Sequence, residues 1–75
     1  MQLDGKLIKE KGHDYLIEAL DLPGYYGKNL DALYDCLTEM ECDIELINSD
    51  DVDDDMIDTF IDAASVNDFL TFKIN

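Results

Sequence analysis

Hydrophobic side chains recur at helical spacing in the middle of the chain. The positions are Leu30, Leu33, Leu37 and Met40, separated by three, four and three residues. This spacing places all four on one face of an α-helix, with Tyr34 and Cys36 at the borders of that face. Asn29 belongs to the residue types that cap helix N-termini. The pattern therefore predicts a helix that begins at about Asn29 and packs its leucine face against a core.

Shorter hydrophobic patterns lie before and after this helix, some with the spacing of a strand and some with the spacing of a helix. They predict strands at 1–3, 42–48 and 69–74, helices at 13–20 and 56–64, and a turn at Asp4-Gly5. The core-facing stripe of the last helix is predicted to comprise Met56, Ile57, Phe60, Ile61 and Ala64. Strands separated by helices favour right-handed βαβ crossovers. We expect an α/β fold, a small three-stranded parallel sheet packed with about three to four helices, in a single domain over residues 1–75.

A short loop precedes the central helix. Pro23 ends the helix before it and restricts the residue preceding the proline. Tyr25, Tyr26 and Gly27 are predicted to form an ordered loop in which Gly27 is free to take a positive φ. We expect Tyr26 to be a packing residue.

The segment "SDDVDDD", residues 49–55, is predicted to be exposed. Its aspartates serve solvation alone, or they stabilise the positive N-terminal end of the following helix. Asp51, Asp53 and Asp55 also occupy positions 1, 3 and 5 of an EF-hand-like frame, with Asp62 at position 12. Position 6 of that frame needs a glycine for its sharp turn, and this chain has Met56 there. We therefore predict no dedicated calcium site.

Charge separates this chain from most small domains. It carries 19 acidic and 5 basic residues, a formal net charge of −14. Such a chain repels RNA, DNA and anionic membrane surfaces and attracts a basic partner over long range. An acidic coat that only improves solubility is the alternative explanation.

The inventory of reactive side chains is small. His13 is the only histidine, and Cys36 and Cys42 are the only cysteines. These residues have no zinc-site spacing and supply no Ser-His-Asp arrangement, so we predict no catalytic residues, metal or cofactor. The two cysteines are expected to be free thiols, and the sequence shows neither a signal peptide nor a long apolar run. A cytoplasmic location is the simplest expectation.

The outer face of the central helix carries charges of one sign. Asp31, Asp35 and Glu39 are spaced four residues apart, with no lysine or arginine among them. Each like-charge pair at this spacing costs a helix about 0.2–0.5 kcal/mol. A single-sign column beside tyrosines and a glycine loop is poor for stability and therefore indicates a docking surface for cations.

The stretch "LPGYYGKNLDALYDCLTE", residues 22–39, resembles the central signature of the barstar family. Members of that family are intracellular protein inhibitors of barnase-type guanyl-specific ribonucleases. The likeness is near-continuous over this stretch and weaker but collinear elsewhere, through "LDG" near the start and "CDIELIN" later. The resemblance implies a three-stranded parallel sheet packed with helices. It also implies a 1:1 complex in which the loop and central helix plug the ribonuclease active site and imitate RNA phosphate.

The resemblance also implies roles for individual residues. Tyr25 is expected to pack against the catalytic histidine of the enzyme, and Gly27 to let the loop approach closely. Asn29 is expected to bond to enzyme backbone, Asp31 to meet an arginine or backbone donors, and Asp35 to enter the phosphate pocket. Further contacts are expected from Leu30, Tyr34 and Thr38.

Several positions depart from the family pattern. Tyr34 and Met40 stand where tryptophan is usual, Glu39 replaces a glycine, and Asp62 replaces a glutamate that pairs with an enzyme arginine. The chain is also shorter between its second and third predicted strands. We include Glu39 and Asp62 among the expected partner-binding residues. The departures leave open an alternative, an acidic interaction domain of the same fold that binds another basic protein or toxin.

Overall fold

Three parallel strands form one sheet in the order β1-β2-β3, and the computed structural model describes all 75 residues. The elements in chain order are β1 (Gln2–Asp4), α1 (Gly5–Lys11), α2 (His13–Leu20), α3 (Leu30–Leu37), β2 (Cys42–Ile47), a 3₁₀ turn (Ser49–Asp51), α4 (Asp54–Val66) and β3 (Leu70–Ile74). The predicted α/β class, three-stranded parallel sheet and number of helices are confirmed.

The register of the sheet follows from the alternation within β2. Leu46 pairs with Leu3 of β1, and Ile44 pairs with Phe72 of β3. Ile44 and Leu46 are buried, whereas Asp43, which precedes Ile44 in β2, is exposed. One face of the sheet therefore carries the core and the other face carries polar side chains.

Fourteen buried hydrophobic residues form a single core cluster between the sheet and the helices. They are Leu3, Ile8, Leu16, Leu20, Leu22, Tyr26, Leu33, Leu37, Ile44, Leu46, Val52, Phe60, Ala63 and Leu70. Leu33 and Leu37 from α3 and Phe60 from α4 are almost fully enclosed, because these two helices pack against each other. The leucine face predicted for α3 is therefore confirmed at its centre.

The predicted turn at Asp4-Gly5 is wrong, because a helix begins there. The Asp4 carboxylate accepts a hydrogen bond from the Lys6 amide and caps α1. Gly5 is buried, and a Cβ at this position would overlap the carbonyl oxygen of Asn48. Asp4 therefore caps a helix, and Gly5 lets two backbone segments approach closely; the pair does not reverse the chain.

Two expectations about the acidic segment and α4 also need correction. Val52 is only 7% exposed, so the 49–55 segment is anchored at its centre while its aspartates remain in solvent. Ile61 is 46% exposed, and Ala63 occupies the core in its place. One residue beyond Phe60 rotates a side chain by about 100° around the helix axis, which takes Ile61 outside the buried stripe.

Several further properties bear on function. Cys36 and Cys42 are free, as predicted, and both are half-buried. None of the four helices combines the length and the apolar character that crossing a bilayer requires. No group of three or more His, Cys, Asp or Glu side chains is positioned to hold a metal ion.

Candidate functional site

The N-terminus of α3 is held by the side chain of Asn29. Its Oδ1 accepts a hydrogen bond from the Ala32 amide at 2.8 Å, and its Nδ2 donates to the Gly27 carbonyl at 3.2 Å. The predicted capping role of Asn29 is therefore confirmed. Because one amide group binds both the helix and the loop, the loop is fixed relative to the acidic face of α3.

Gly27 does not adopt the positive φ that we expected. The residue with positive φ in this loop is Lys28, at 53°. A Cβ at Gly27 would lie 3.2 Å from Asn29 Nδ2 and 3.6 Å from the Ala32 Cβ. Glycine at this position therefore leaves room for the Asn29 side chain that caps the helix. It is not needed for a left-handed backbone conformation.

Beneath the loop, Tyr26 forms the expected packing contact. It is 7% exposed, and its hydroxyl lies 2.7 Å from His13 Nδ1 and donates a long bond of 3.5 Å to the Asn29 carbonyl. Burial raises the pKa of Tyr26 to about 12, so the phenol is neutral at physiological pH. His13 begins α2 and is half-buried through this contact. The pair links α2 to the loop.

Tyr25 is exposed, in contrast to its buried neighbour Tyr26. It is 88% exposed, although tyrosine carries a large apolar ring. An isolated exposed aromatic residue adds little to the stability of the fold, but such residues are enriched in binding interfaces. Tyr25 therefore stands at the edge of the surface formed by the loop and α3.

The three acidic side chains of this surface are all exposed, but only Asp31 and Asp35 lie on α3. The helix ends at Leu37, so Glu39 lies in the turn that follows and not on the helix as its spacing predicted. The carboxylates of Asp31, Asp35 and Glu39 form no ion pair and accept no hydrogen bond within the chain. The Asp35 backbone carbonyl accepts a bond from the Thr38 hydroxyl at 2.8 Å, which tightens the end of the helix. The acidic surface thus consists of two unpaired carboxylates on a capped helix and a third in the turn after it.

Lys28, in the loop before α3, is the basic residue nearest to these carboxylates along the chain. The Lys28 ammonium pairs with the Asp14 carboxylate at 2.9 Å, and this hydrogen bond holds the pKa of Asp14 below its ordinary value. The other ion pair joins Lys9 to Asp51. Neither pair includes a carboxylate of α3, so the negative field of that helix is not neutralised from within the chain.

The remaining expected contact residues differ in exposure. Leu30 and Tyr34 are half-buried at the borders of α3. Cys36 is also half-buried on α3, and burial, followed by the charges of Glu39 and Asp35, raises the pKa of its thiol. Asp62 is exposed on α4, and its carboxylate forms no hydrogen bond or ion pair with α3. The expected contact residues of the loop and of α3 thus lie on two consecutive elements. Asp62 lies apart from them, on α4.

Two features of this region were not found by sequence reasoning. The first is Asn67, at the C-terminal end of α4, whose Nδ2 donates to the carbonyls of Leu37 and Met40 at the end of α3. The second is a groove of about 180 Å³ that brings Asp21, at the end of α2, near Tyr25 and Glu39. No sequence pattern marks either feature, because both depend on how separate elements pack.

Comparison with known proteins agrees with this arrangement. Residues 1–70 match the family described as Barstar (barnase inhibitor). A 26-residue stretch is 69% identical to a protein of Bacillus subtilis (strain 168) named "Putative ribonuclease inhibitor YrdF". That stretch covers 35% of this chain and 29% of the Bacillus protein. Because the family match extends over most of the chain, the protein belongs to the barstar family, and the resemblance found in the sequence is confirmed.

Proposed function

We propose that the protein inhibits a barnase-type guanyl-specific ribonuclease by blocking its active site in a 1:1 complex. The observation that carries this proposal is the exposed, unpaired set of Asp31 and Asp35 on a helix with a fixed N-terminus and Glu39 in the turn after it. Membership of the family supports it independently. The protein acts as a binding module and not as an enzyme.

The physical basis is imitation of the substrate. A ribonuclease active site collects arginine, lysine and histidine side chains to hold a phosphodiester. A carboxylate on a rigid helix can occupy the same donors through charge-assisted hydrogen bonds. Asp35 enters the phosphate pocket, Asp31 meets an arginine or backbone donors, and Tyr25 packs against the catalytic histidine.

Other residues of the loop and helix complete the proposed interface. Gly27 allows close approach, Asn29 presents its backbone and amide next to the cap, and Leu30, Tyr34 and Thr38 contribute contacts along α3. Glu39 and Asp62 extend the acidic surface on either side. The formal charge of −14 steers a basic enzyme toward this surface, with association rates that approach about 10⁸–10⁹ M⁻¹ s⁻¹ at low salt in favourable cases.

We also place the protein in the cytoplasm. Cys36 and Cys42 are free, and burial raises the pKa of both thiols, so they remain protonated and unreactive at neutral pH. Free thiols are typical of a reducing compartment. Mass spectrometry of protein kept from air is expected to find both cysteines reduced, and a Cys36–Cys42 disulfide would contradict this location.

The function is tested by titrating the chain into barnase and measuring cleavage of a fluorogenic RNA substrate. We expect activity to fall linearly and to reach its minimum at one equivalent. The control is a pyrimidine-specific ribonuclease of unrelated fold, whose site is also basic and which should keep its activity. Full activity of barnase at several equivalents would contradict the proposal.

The second candidate is an acidic domain of barstar fold that binds another basic protein or toxin. The unusual Glu39, Met40 and Asp62 favour it, because they alter the surface around α3. Equal inhibition of both ribonucleases would indicate binding driven by charge alone and would favour this candidate.

A further inference from the structure

A groove lies between the end of α2, the loop that follows it, and the last turn of α3 with the residues just after it. Its volume is about 180 Å³. Its less exposed lining residues are buried Leu20 and Leu22 and half-buried Pro23, Cys36 and Met40. The groove is therefore apolar in its interior.

The rim of the groove has the opposite character. Asp21, Tyr25 and Glu39 line it and are all exposed. The carboxylates of Asp21 and Glu39 take part in no ion pair, and no lysine, arginine or histidine lines the groove. An apolar interior is thus combined with two uncompensated negative charges and an aromatic ring at the opening.

We propose that this groove receives one arginine side chain of the ribonuclease partner. The inference rests on the proposed function and adds a determinant of specificity to it, with Asp21 as a binding residue. The aliphatic stem of arginine would cover Leu22, Pro23 and Met40, as long charged side chains commonly cover apolar surface. The guanidinium would lie at the rim, between the Asp21 and Glu39 carboxylates and against the ring of Tyr25.

The rim chemistry selects arginine over lysine. A guanidinium is planar, stacks on aromatic rings and is more weakly hydrated than an ammonium, so it loses less when it enters a partly apolar groove. It also offers five donors, which suffice for carboxylates on two sides. An uncharged apolar side chain would fill the interior but would leave both carboxylates without a partner.

The backbone of Asp21 provides a well-matched variant. This residue ends α2 in the left-handed conformation, with φ 52° and ψ 51°. Asparagine and glycine tolerate that conformation at helix C-termini at least as well as aspartate does. Asp21→Asn and Asp21→Gly therefore remove the carboxylate without straining the fold, and any loss of binding cannot be attributed to unfolding.

The first test uses the free protein and N-acetyl-L-arginine N-methylamide as the probe. In ¹⁵N-HSQC spectra at constant ionic strength, we expect saturable shifts confined to Leu22, Tyr25, Glu39 and Met40. The apparent Kd should be on the order of 10 mM, as for a single weakly held side chain. The corresponding lysine compound should bind more weakly, and Asp21→Asn should remove the saturation. Shifts that spread evenly over Asp31 and Asp35, or no saturable shifts, would overturn the proposal.

The second test measures the Kd of barnase for Asp21→Asn, Glu39→Gln and the control Glu18→Gln. Glu18 is an exposed carboxylate on the same helix as Asp21 and does not line the groove. We expect about 5- to 30-fold weaker binding for each groove variant and less than about 2-fold for the control, because charge-assisted bonds are lost only in the groove.

The two proposals can fail separately. If the wild-type chain does not inhibit barnase, the arginine titration still decides whether the groove binds a guanidinium. If the wild-type chain inhibits barnase and the groove variants bind as tightly as Glu18→Gln, the groove is not a binding site, while the proposed inhibition stands.

Discussion

Replacement of Asn67 is expected to destabilise the fold more than any other exchange of a polar side chain. Asn67 is 8% exposed and is the only buried polar or charged residue. Its Nδ2 donates to the carbonyls of Leu37 at 3.0 Å and Met40 at 2.8 Å, and its Oδ1 accepts from the Phe69 amide at 3.0 Å. One side chain therefore ends α3, positions the turn that carries Glu39, and holds the entry to β3.

The magnitude follows from these three bonds. Each contributes about 0.5–1.5 kcal/mol net, and a buried partner left unsatisfied costs about 1–3 kcal/mol. Asn67→Ala should therefore lower the free energy of unfolding by roughly 3 kcal/mol. The whole stability of a chain this size is on the order of 4–11 kcal/mol. For such a domain the loss corresponds to a fall in Tm of roughly 10–25 °C.

Asn67→Asp should be at least as damaging, because it replaces a double donor with an oxygen that faces two carbonyls. Burial and the carbonyls would raise the pKa of this carboxyl above its unfolded value. The defect should accordingly be smallest below about pH 4 and grow as the pH rises, since only the protonated carboxyl can donate a bond.

The assay is thermal and urea unfolding followed by circular dichroism, with Asn75→Ala as the matched control. Asn75 is exposed and makes a single side-chain bond, to Glu45. Its replacement should change the free energy of unfolding by less than about 0.5 kcal/mol. If Asn67→Ala melts within 3 °C of the wild type, roughly the effect of such a surface exchange, the account of how α3 ends is wrong.

Three further predictions follow from the site and its support. The association rate with barnase should fall steeply between low and high salt, since exposed charges are screened within about 10 Å at 0.1 M ionic strength, and flat stopped-flow rates would contradict steering. Tyr26→Phe should cost about 0.5–1.5 kcal/mol in urea unfolding, because the bond to His13 is lost while the ring stays packed, and an unchanged midpoint would show that the bond contributes nothing. Gly5→Ala should unfold or strongly destabilise the chain, because its Cβ would overlap the Asn48 carbonyl, whereas Gly24→Ala, where a Cβ meets nothing, should melt near the wild type; equal melting of the two would refute the close approach.

Sequence reasoning predicted the elements well where one local signal dominated. The leucine spacing of α3, its Asn29 cap and the strand predicted at 42–48 each depend on neighbours in the chain, and each is confirmed. Helical spacing also predicted the acidic surface, correctly for Asp31 and Asp35, whereas α3 ends at Leu37 and Glu39 lies in the turn beyond it.

The errors arose where distant segments meet. Asp4-Gly5 has the composition of a turn. The Asn48 backbone that packs on Gly5 follows β2 and is therefore distant in the chain. Gly27 was expected to supply an unusual φ, whereas its purpose is room beside the Asn29 amide. The bonds of Asn67 to the end of α3 span 27 and 30 residues, and no local pattern carries that information.

The groove near Asp21 was missed for the same reason. Its lining comes from the end of α2, the loop and α3, and only packing brings them together. The sequence did contain one relevant signal, an aspartate directly after the last helical residue, where glycine or asparagine is more usual.

The central claim concerns Asp35, whose carboxylate lies between Asp31 and Glu39 on the exposed face of α3. In the free protein it is a source of repulsion, at about 0.2–0.5 kcal/mol with Asp31, which lies four residues before it on the helix. In the complex it would fill a desolvated cationic pocket, and its loss would leave those charges unpaired at a cost on the order of 2–5 kcal/mol or more. One carboxylate is therefore expected to weaken the free helix and to dominate binding.

The most direct measurement compares Asp35→Ala with Glu10→Ala in both Tm and Kd for barnase. Glu10 is an exposed carboxylate on α1, so both variants change the net charge by the same amount. We predict that Asp35→Ala weakens binding roughly 30-fold to several thousand-fold with Tm unchanged or slightly raised, while Glu10→Ala remains within about 2-fold. Wild-type affinity for Asp35→Ala, or a loss of affinity that only accompanies unfolding, would contradict the claim that this helix imitates RNA phosphate.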